Sequence, residues 1–181
     1  MTNIDPAQLP YRLGVGLCLF NRKGLVLCAE RLDRPGAWQM PQGGIQKNEE
    51  PHIAALRELK EEIGTDKAEI IAMLPEKLRY EFPDWLQYRD GVFRGKYRGQ
   101  EQTWFALRYL GEDSDIRLTN EHEPEHPEFS SWRWAKLSEM PKLIVEFKRP
   151  VYKQVAGGFL FISEALERGD KLPPWRPRNQ I

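Results

Sequence analysis

The chain has 181 residues, 40% of them hydrophobic and 30% charged, which is the balance of an ordinary globular domain with enough apolar material for a real core. Its 27 Lys and Arg residues balance 27 Asp and Glu, so no whole-molecule field attracts a polyanion and any nucleic acid must be held locally. The start MTNIDPAQLPYR lacks a basic segment followed by an apolar one, and no window approaches the ~18 apolar residues that span a bilayer. A cytoplasmic protein with no membrane partner is expected.

The first predicted element is a β-hairpin over residues 11–31: YRLGVGLCLF alternates, NRKG supplies a turn, and LVLCAER continues in extended style. Cys18 and Cys28 lie in these apolar runs and in no CxxC pattern, so buried packing thiols are favoured over a disulfide or metal site. After Gly43-Gly44, residues 50–63 turn helical. Steps of about 100° put His52, Ala55, Leu56, Leu59 and Ile63 in one core-facing sector. Pro51 suits the first turn and Gly64 the C-terminal cap. Extended runs follow at AEIIAML, KLRYEF, QTWFALRYL and SSWRWA, then a last helix from about Phe147 to Arg168, ended by Gly169. His122 and His126 are spaced as a helical pair, but Pro124 between them predicts a loop and not a zinc site. With no repeat, low-complexity tract or linker, one domain over 1–181 is expected, its core about 11–169 with short tails. Strands before, between and after two helices predict an α+β fold, a mixed β-sheet sandwiched between helices.

The run RELKEE crowds Glu58, Glu61 and Glu62 onto one arc of the first helix. Like charges at i+3 and i+4 cost an isolated helix ~0.2–0.5 kcal/mol each. One reading is a solvated acidic face. The other is a cation site, and it is favoured because the only basic residues in this turn are Arg57, which can pair with Glu61, and Lys60. Carboxylates without a Cys or His cluster suit a hard cation such as magnesium or manganese.

Gly43, five residues, Glu49, seven residues, then Arg57-Glu58-Leu59-Lys60-Glu61-Glu62-Ile63-Gly64 resembles the Nudix box. Seven fixed identities at ~7% each coincide on the order of once in 10⁸ starts, so chance is not a competing account. Thr65 departs from the bulky aliphatic residue usual there, which weakens a contact behind the helix and spares the carboxylates. The flanks YRLGVG, WQMPQGGI, KLRYEFP, GQEQTWFALRYL, PEFSSWRW and FKRPVY, over roughly residues 11–155, resemble the bacterial RNA pyrophosphohydrolase group of Nudix hydrolases, which includes dinucleoside polyphosphate hydrolases.

That resemblance implies removal of pyrophosphate from the 5′-triphosphate end of RNA, which promotes transcript decay. Cleavage of dinucleoside polyphosphates is the alternative, and a non-catalytic nucleotide-binding module a minor one. It implies a divalent cofactor, magnesium with manganese or zinc as substitutes, neither DNA nor membrane as ligand, and leaves protein partners open. Glu58, Glu61 and Glu62 would bind the metal, with Gly43 letting the backbone approach. Glu128 would complete the metal site or act as base, against a plain loop carboxylate. Arg57 would orient a box glutamate. Arg12, Arg31 and Lys148 occupy positions that contact substrate phosphates, although each alone also reads as a surface cation. Tyr80 and Phe147 either flank a base or pack in the core. The stretch DWLQYRDGVFRGKYRGQ interleaves Arg89, Arg94, Lys96 and Arg98 with Trp85, Tyr88, Phe93 and Tyr97, and could steer RNA, clamp a second nucleoside or simply be solvated. The basic tail KLPPWRPRNQI reads as disordered or surface-packed, ahead of an RNA grip through Arg176 and Arg178 beside Trp175.

Overall fold

A computed structural model describes residues 6–87, 95–118 and 128–177. Among these residues eight strands form one connected mixed sheet. Its spine is β1 (Tyr11–Phe20) running parallel to β7 (Gly99–Tyr109), paired from Tyr11↔Gly99 to Phe20↔Arg108. The outer edge of β1 is shared. Its first half pairs antiparallel with β4 (Gln42–Gly44), and Phe20 pairs with Val26 at the start of β2 (Val26–Arg31). The hairpin expected over 11–31 is therefore real but meets at one register position. The longer partner of β2 is β8 (Phe129–Ala135), with β3 (Trp38–Gln39) on its other side. The outer edge of β7 is shared likewise by β5 (Ala68–Met73) and β6 (Leu78–Glu81).

Period-two alternation explains the two-faced core. Val15, Leu17, Leu19, Phe105 and Leu107 face one side and pack with Leu59 and Ile63 of α1 (Pro51–Ile63). Cys18, Phe20, Trp104 and Ala106 face the other, against Val155 and Phe159 of α4 (Arg149–Glu167). Both thiols are free and buried, as expected of packing residues. Two four-residue helices escaped sequence reading, α2 (Asp84–Gln87) and α3 (Met140–Leu143). No described helix is long and apolar enough to cross a membrane.

The helix starting near Phe147 begins at Arg149, because Glu146–Lys148 forms a 3-10 turn with the Lys148 N–H on the Val145 carbonyl (3.1 Å). In α1 the buried side chains are Ala54, Ala55, Leu59 and Ile63, whereas Leu56 is 36% exposed. Ala54, Glu58 and Glu62 ascend one i, i+4 row, so two glutamates share the inward arc and Leu56 is rotated to its rim. Gly64 caps the helix at φ 73°, its N–H on the Lys60 carbonyl (3.0 Å). Thr65 is buried, and its hydroxyl accepts the Lys67 N–H at 3.2 Å, a use no aliphatic side chain could have.

Candidate active site

The box segment folds as strand β4, a turn and helix α1, and Arg57 locks the three together. A guanidinium carries five N–H donors, and all five are used. Nε and Nη2 grip Glu49 bidentately (2.8 and 2.8 Å), Nη1 reaches Glu58 (2.8 Å) and Glu61 (2.9 Å), and Nη2 reaches the Gly44 carbonyl (2.7 Å). The Glu61 contact expected from i+4 spacing is present. The bidentate partner Glu49 was visible in the motif but carried no predicted role. Its carboxyl is held below the usual range by the Arg57 hydrogen bonds. Glu58 is pushed up by burial, which Arg57 offsets only in part.

Glu62 lies deepest. Burial, then the charge of Glu128, hold its carboxyl well above the ordinary value, against the Gln42 N–H that donates to its Oε2 at 3.1 Å. Crowded, desolvated carboxylates of this kind call for a counter-charge. A Cβ added at Gly43 would meet Glu58 Cδ at 1.8 Å, and one at Gly44 would meet Arg12 Nη2 at 2.2 Å. At Gly43 a side chain would push out Glu58, which Arg57 holds in place, whereas at Gly44 the guanidinium end of Arg12 would have to swing aside. Among the described residues no three His, Cys, Asp or Glu side chains converge as a closed ligand set. Glu58 and Glu61 are each turned onto Arg57, and Glu62 onto Gln42. An oxygen-only donor set beside a glycine strand nonetheless fits a hard divalent cation that keeps positions for water and phosphate.

One cavity of about 530 Å³ joins Glu58, Glu62 and Glu128 with Arg12, Arg31, Lys148, Tyr80 and Phe147. Glu61 is the predicted carboxylate that does not line it. Arg31 enters through the register shift between Glu30 and Arg31 in β2, the re-aiming a bulge performs. It is already paired, with Asp33 through Nε (2.7 Å) and Glu128 through Nη1 (2.7 Å). Lys148 is no surface cation. It is 6% exposed, its Nζ is 3.3 Å from Gln42 Oε1 and 3.5 Å from Gln39 Oε1, and burial, with Arg31, lowers its pKa to about 8. Tyr80 and Phe147 touch each other, centroids 5.8 Å apart at 50°, and Lys148 Nζ sits 5.3 Å over the Tyr80 ring. A base sandwiched between two rings needs about 7 Å between them, so the pair forms one wall.

Behind these groups Gln102 Nε2 donates to Gln42 Oε1 (3.2 Å) and Gln100 Oε1 (3.0 Å). Gln100 and Gln102 are buried, and Gln39 is too, with its Nε2 unpartnered. The signal available for this network was glutamine repeated on one face of an apolar strand, GQEQTW. His122, His126, Tyr88, Arg89, Phe93, Arg94 and Arg178 lie outside the described residues.

The NUDIX domain model matches residues 10–155. The chain belongs to the Nudix family. Its hydrolase relatives include an RNA pyrophosphohydrolase of Rhodospirillum rubrum, 49% identical over 152 residues covering 84% of this chain and 88% of the relative. Another RNA pyrophosphohydrolase, from Gluconacetobacter diazotrophicus, is 46% identical over 168 residues, covering 88% and 98%. Among solved Nudix-like folds, the E. coli dihydroneopterin triphosphate pyrophosphohydrolase superposes with TM-score 0.59 at 22% identity, covering 81% of this chain and 97% of that one. The mixed sheet between helices expected from sequence is the fold this Nudix hydrolase has.

Proposed function

We propose that this Nudix hydrolase is an RNA pyrophosphohydrolase, adding water across a phosphoanhydride of a 5′-triphosphate end so that pyrophosphate leaves and a 5′-monophosphate remains. The observation that carries the reading is the continuity of one cleft: crowded carboxylates, the desolvated Glu62 among them, with Arg12, Arg31 and Lys148 and an aromatic wall lining the same cavity. A ligand matching that order is a polyphosphate ending in a nucleoside. The relatives named RNA pyrophosphohydrolase support the choice of RNA.

In this reading Glu58, Glu61, Glu62 and Glu128, with the backbone at Gly43, hold divalent cations, magnesium being the expected ion. Bound there, such cations neutralise phosphate oxygens and lower the pKa of a coordinated water. The chain's own residues do the positioning. Arg57 holds Glu58 and Glu61 at fixed separation while itself anchored to Glu49 and Gly44. Arg12, Arg31 and Lys148 receive the phosphates; Arg31 and Lys148 exchange part of their present partners for them. Tyr80 and Phe147 give the nucleoside an apolar surface. The working unit is a single domain with its core at about residues 11–169 and short tails.

The test is pyrophosphate release from 5′-triphosphorylated RNA with magnesium, run beside diadenosine tetraphosphate at matched concentration. Faster turnover of the RNA is expected. Much faster cleavage of the dinucleotide would move the assignment to dinucleoside polyphosphates, with the same carboxylates in use.

A further inference from the structure

Beyond Tyr80 and Phe147 the cleft ends at Trp85, on the short helix α2, and Arg34, in the β2–β3 turn. Trp85 is 41% exposed, large for a tryptophan with a merely structural task. One edge meets Phe147, centroids 6.2 Å apart at 74°, and the Arg34 guanidinium lies 4.1 Å from the Trp85 ring centroid. The backbone under Arg34 is fixed. Its N–H donates to the Arg31 carbonyl (3.3 Å), its carbonyl accepts the Ala37 N–H (3.0 Å), and the Arg31 N–H closes the turn on the Ala37 carbonyl (3.0 Å). What can move is therefore the side chain, on the longest flexible stem at that end of the cavity.

We propose that Trp85 is a specificity-determining residue that takes a nucleobase on the ring face Arg34 now covers. The inference rests on the reading of the cleft as a site for a nucleoside polyphosphate. Tyr80 is almost wholly buried, with Lys148 over its ring, and Phe147 is packed between Tyr80 and Trp85. Trp85 is thus the aromatic group of the cleft with most surface to give. A cation–π contact at a half-exposed site is weak, whereas base stacking on an aromatic side chain is stronger and tolerates any base, since every base has a π face. A base therefore displaces the guanidinium, and the freed Arg34 swings to the ligand's phosphodiester charge.

The test uses the full chain and two triphosphorylated oligonucleotides, one with bases and one whose nucleotides beyond the first are abasic, with folding checked by circular dichroism and melting. Wild type should favour the base-bearing substrate in kcat/KM by about tenfold or more, the range a lost stacking contact covers. Trp85→Ala should bring that ratio close to 1, Trp85→Phe should keep most of it, and Arg34→Ala, which takes the guanidinium off the ring, should retain it. A wild-type ratio in Trp85→Ala overturns the proposal, as does loss of preference in Arg34→Ala alone, which assigns the contact to the guanidinium. Failure of wild type to hydrolyse either oligonucleotide would instead sink the underlying reading of the site.

Discussion

The two ends of the cleft are built on opposite plans. Glu128 apart, the carboxylate end comes from one continuous segment, Gln42 to Glu62, in which a single guanidinium with every donor occupied ties Gly44, Glu49, Glu58 and Glu61 together. The aromatic end is gathered from Arg34, Tyr80, Trp85 and Phe147, four separate places in the chain, held by ring contacts and by cation–π contacts from Arg34 and Lys148. Hydrogen-bonded charge in a fixed fork fixes positions to fractions of an ångström, while ring contacts fix a surface and leave orientation free. The first end suits chemistry and the second suits ligands that vary.

The sharpest way to break the carboxylate end is Glu62→Gln, which keeps shape and removes charge. Turnover should fall by roughly three factors of ten, as loss of one metal carboxylate predicts. Without metal the variant should be at least as stable as wild type, because a buried charge crowded by Glu128 and Glu58 is gone. A variant that keeps full turnover, or one that fails to fold, would make the residue structural.

Arg57→Lys tests the hub. The charge stays, but an ammonium cannot span Glu49, Glu58, Glu61 and the Gly44 carbonyl at once. Misplaced carboxylates should lower kcat by about 100-fold with KM little changed. The urea midpoint should fall by the equivalent of ~2 kcal/mol, less than for a fully buried pair because these groups are partly solvated. Wild-type kcat would show that Glu58 and Glu61 are placed without it.

These residues were the legible ones. The box could be read because its spacing is local and its residue types are dictated by chemistry; a Cβ at Gly43 would collide with Glu58. Period two gave the long strands for the same local reason. What stayed hidden depends on distant parts of the chain. Strands of two and three residues, β3 and β4, exist only because β2 and β1 offer edges. The burial of Lys148 depends on Gln39 and Gln42, more than 100 positions away. Leu56 was misjudged because a hydrophobic wheel cannot tell that inward positions are occupied by glutamates.

A smaller effect follows from pH. The Glu62 carboxyl is raised in the folded chain, so the metal-free fold holds this proton more tightly than the unfolded chain does. That contribution to stability is complete below the ordinary carboxylate value and is lost as pH rises through the folded one. Magnesium needs the carboxylate, so the rise in melting temperature it produces should grow as pH climbs above the ordinary carboxylate value. In Glu62→Gln the increment should be smaller and flatter. Increments that are identical at every pH in both proteins would remove Glu62 from the metal site.

The smallest effect should come from the far side of the molecule, where the C-terminal segment covers the sheet. The register shift between Ile70 and Ala72 in β5 leaves the Ile70 carbonyl to accept the Trp175 N–H at 2.8 Å. The Trp175 ring meets His52 and Phe105, each with centroids 5.9 Å apart. His52 thus faces the tail, and the tail packs on the surface through Leu172 and Trp175. Trp175 also lies outside the residues that line the cleft. Removing residues 173–181 should therefore cost about 1–2 kcal/mol, the share of a half-buried tryptophan, and lower the melting temperature by ~3–6 °C. Turnover of a short triphosphorylated substrate should not change at temperatures well below the transition. Trp175→Ala alone should reproduce most of the stability loss, because the ring and not the basic residues makes the contact. If truncation abolishes turnover while Trp175→Ala leaves it intact, the residues beyond Trp175 belong to the substrate path, and the tail is a third part of the site.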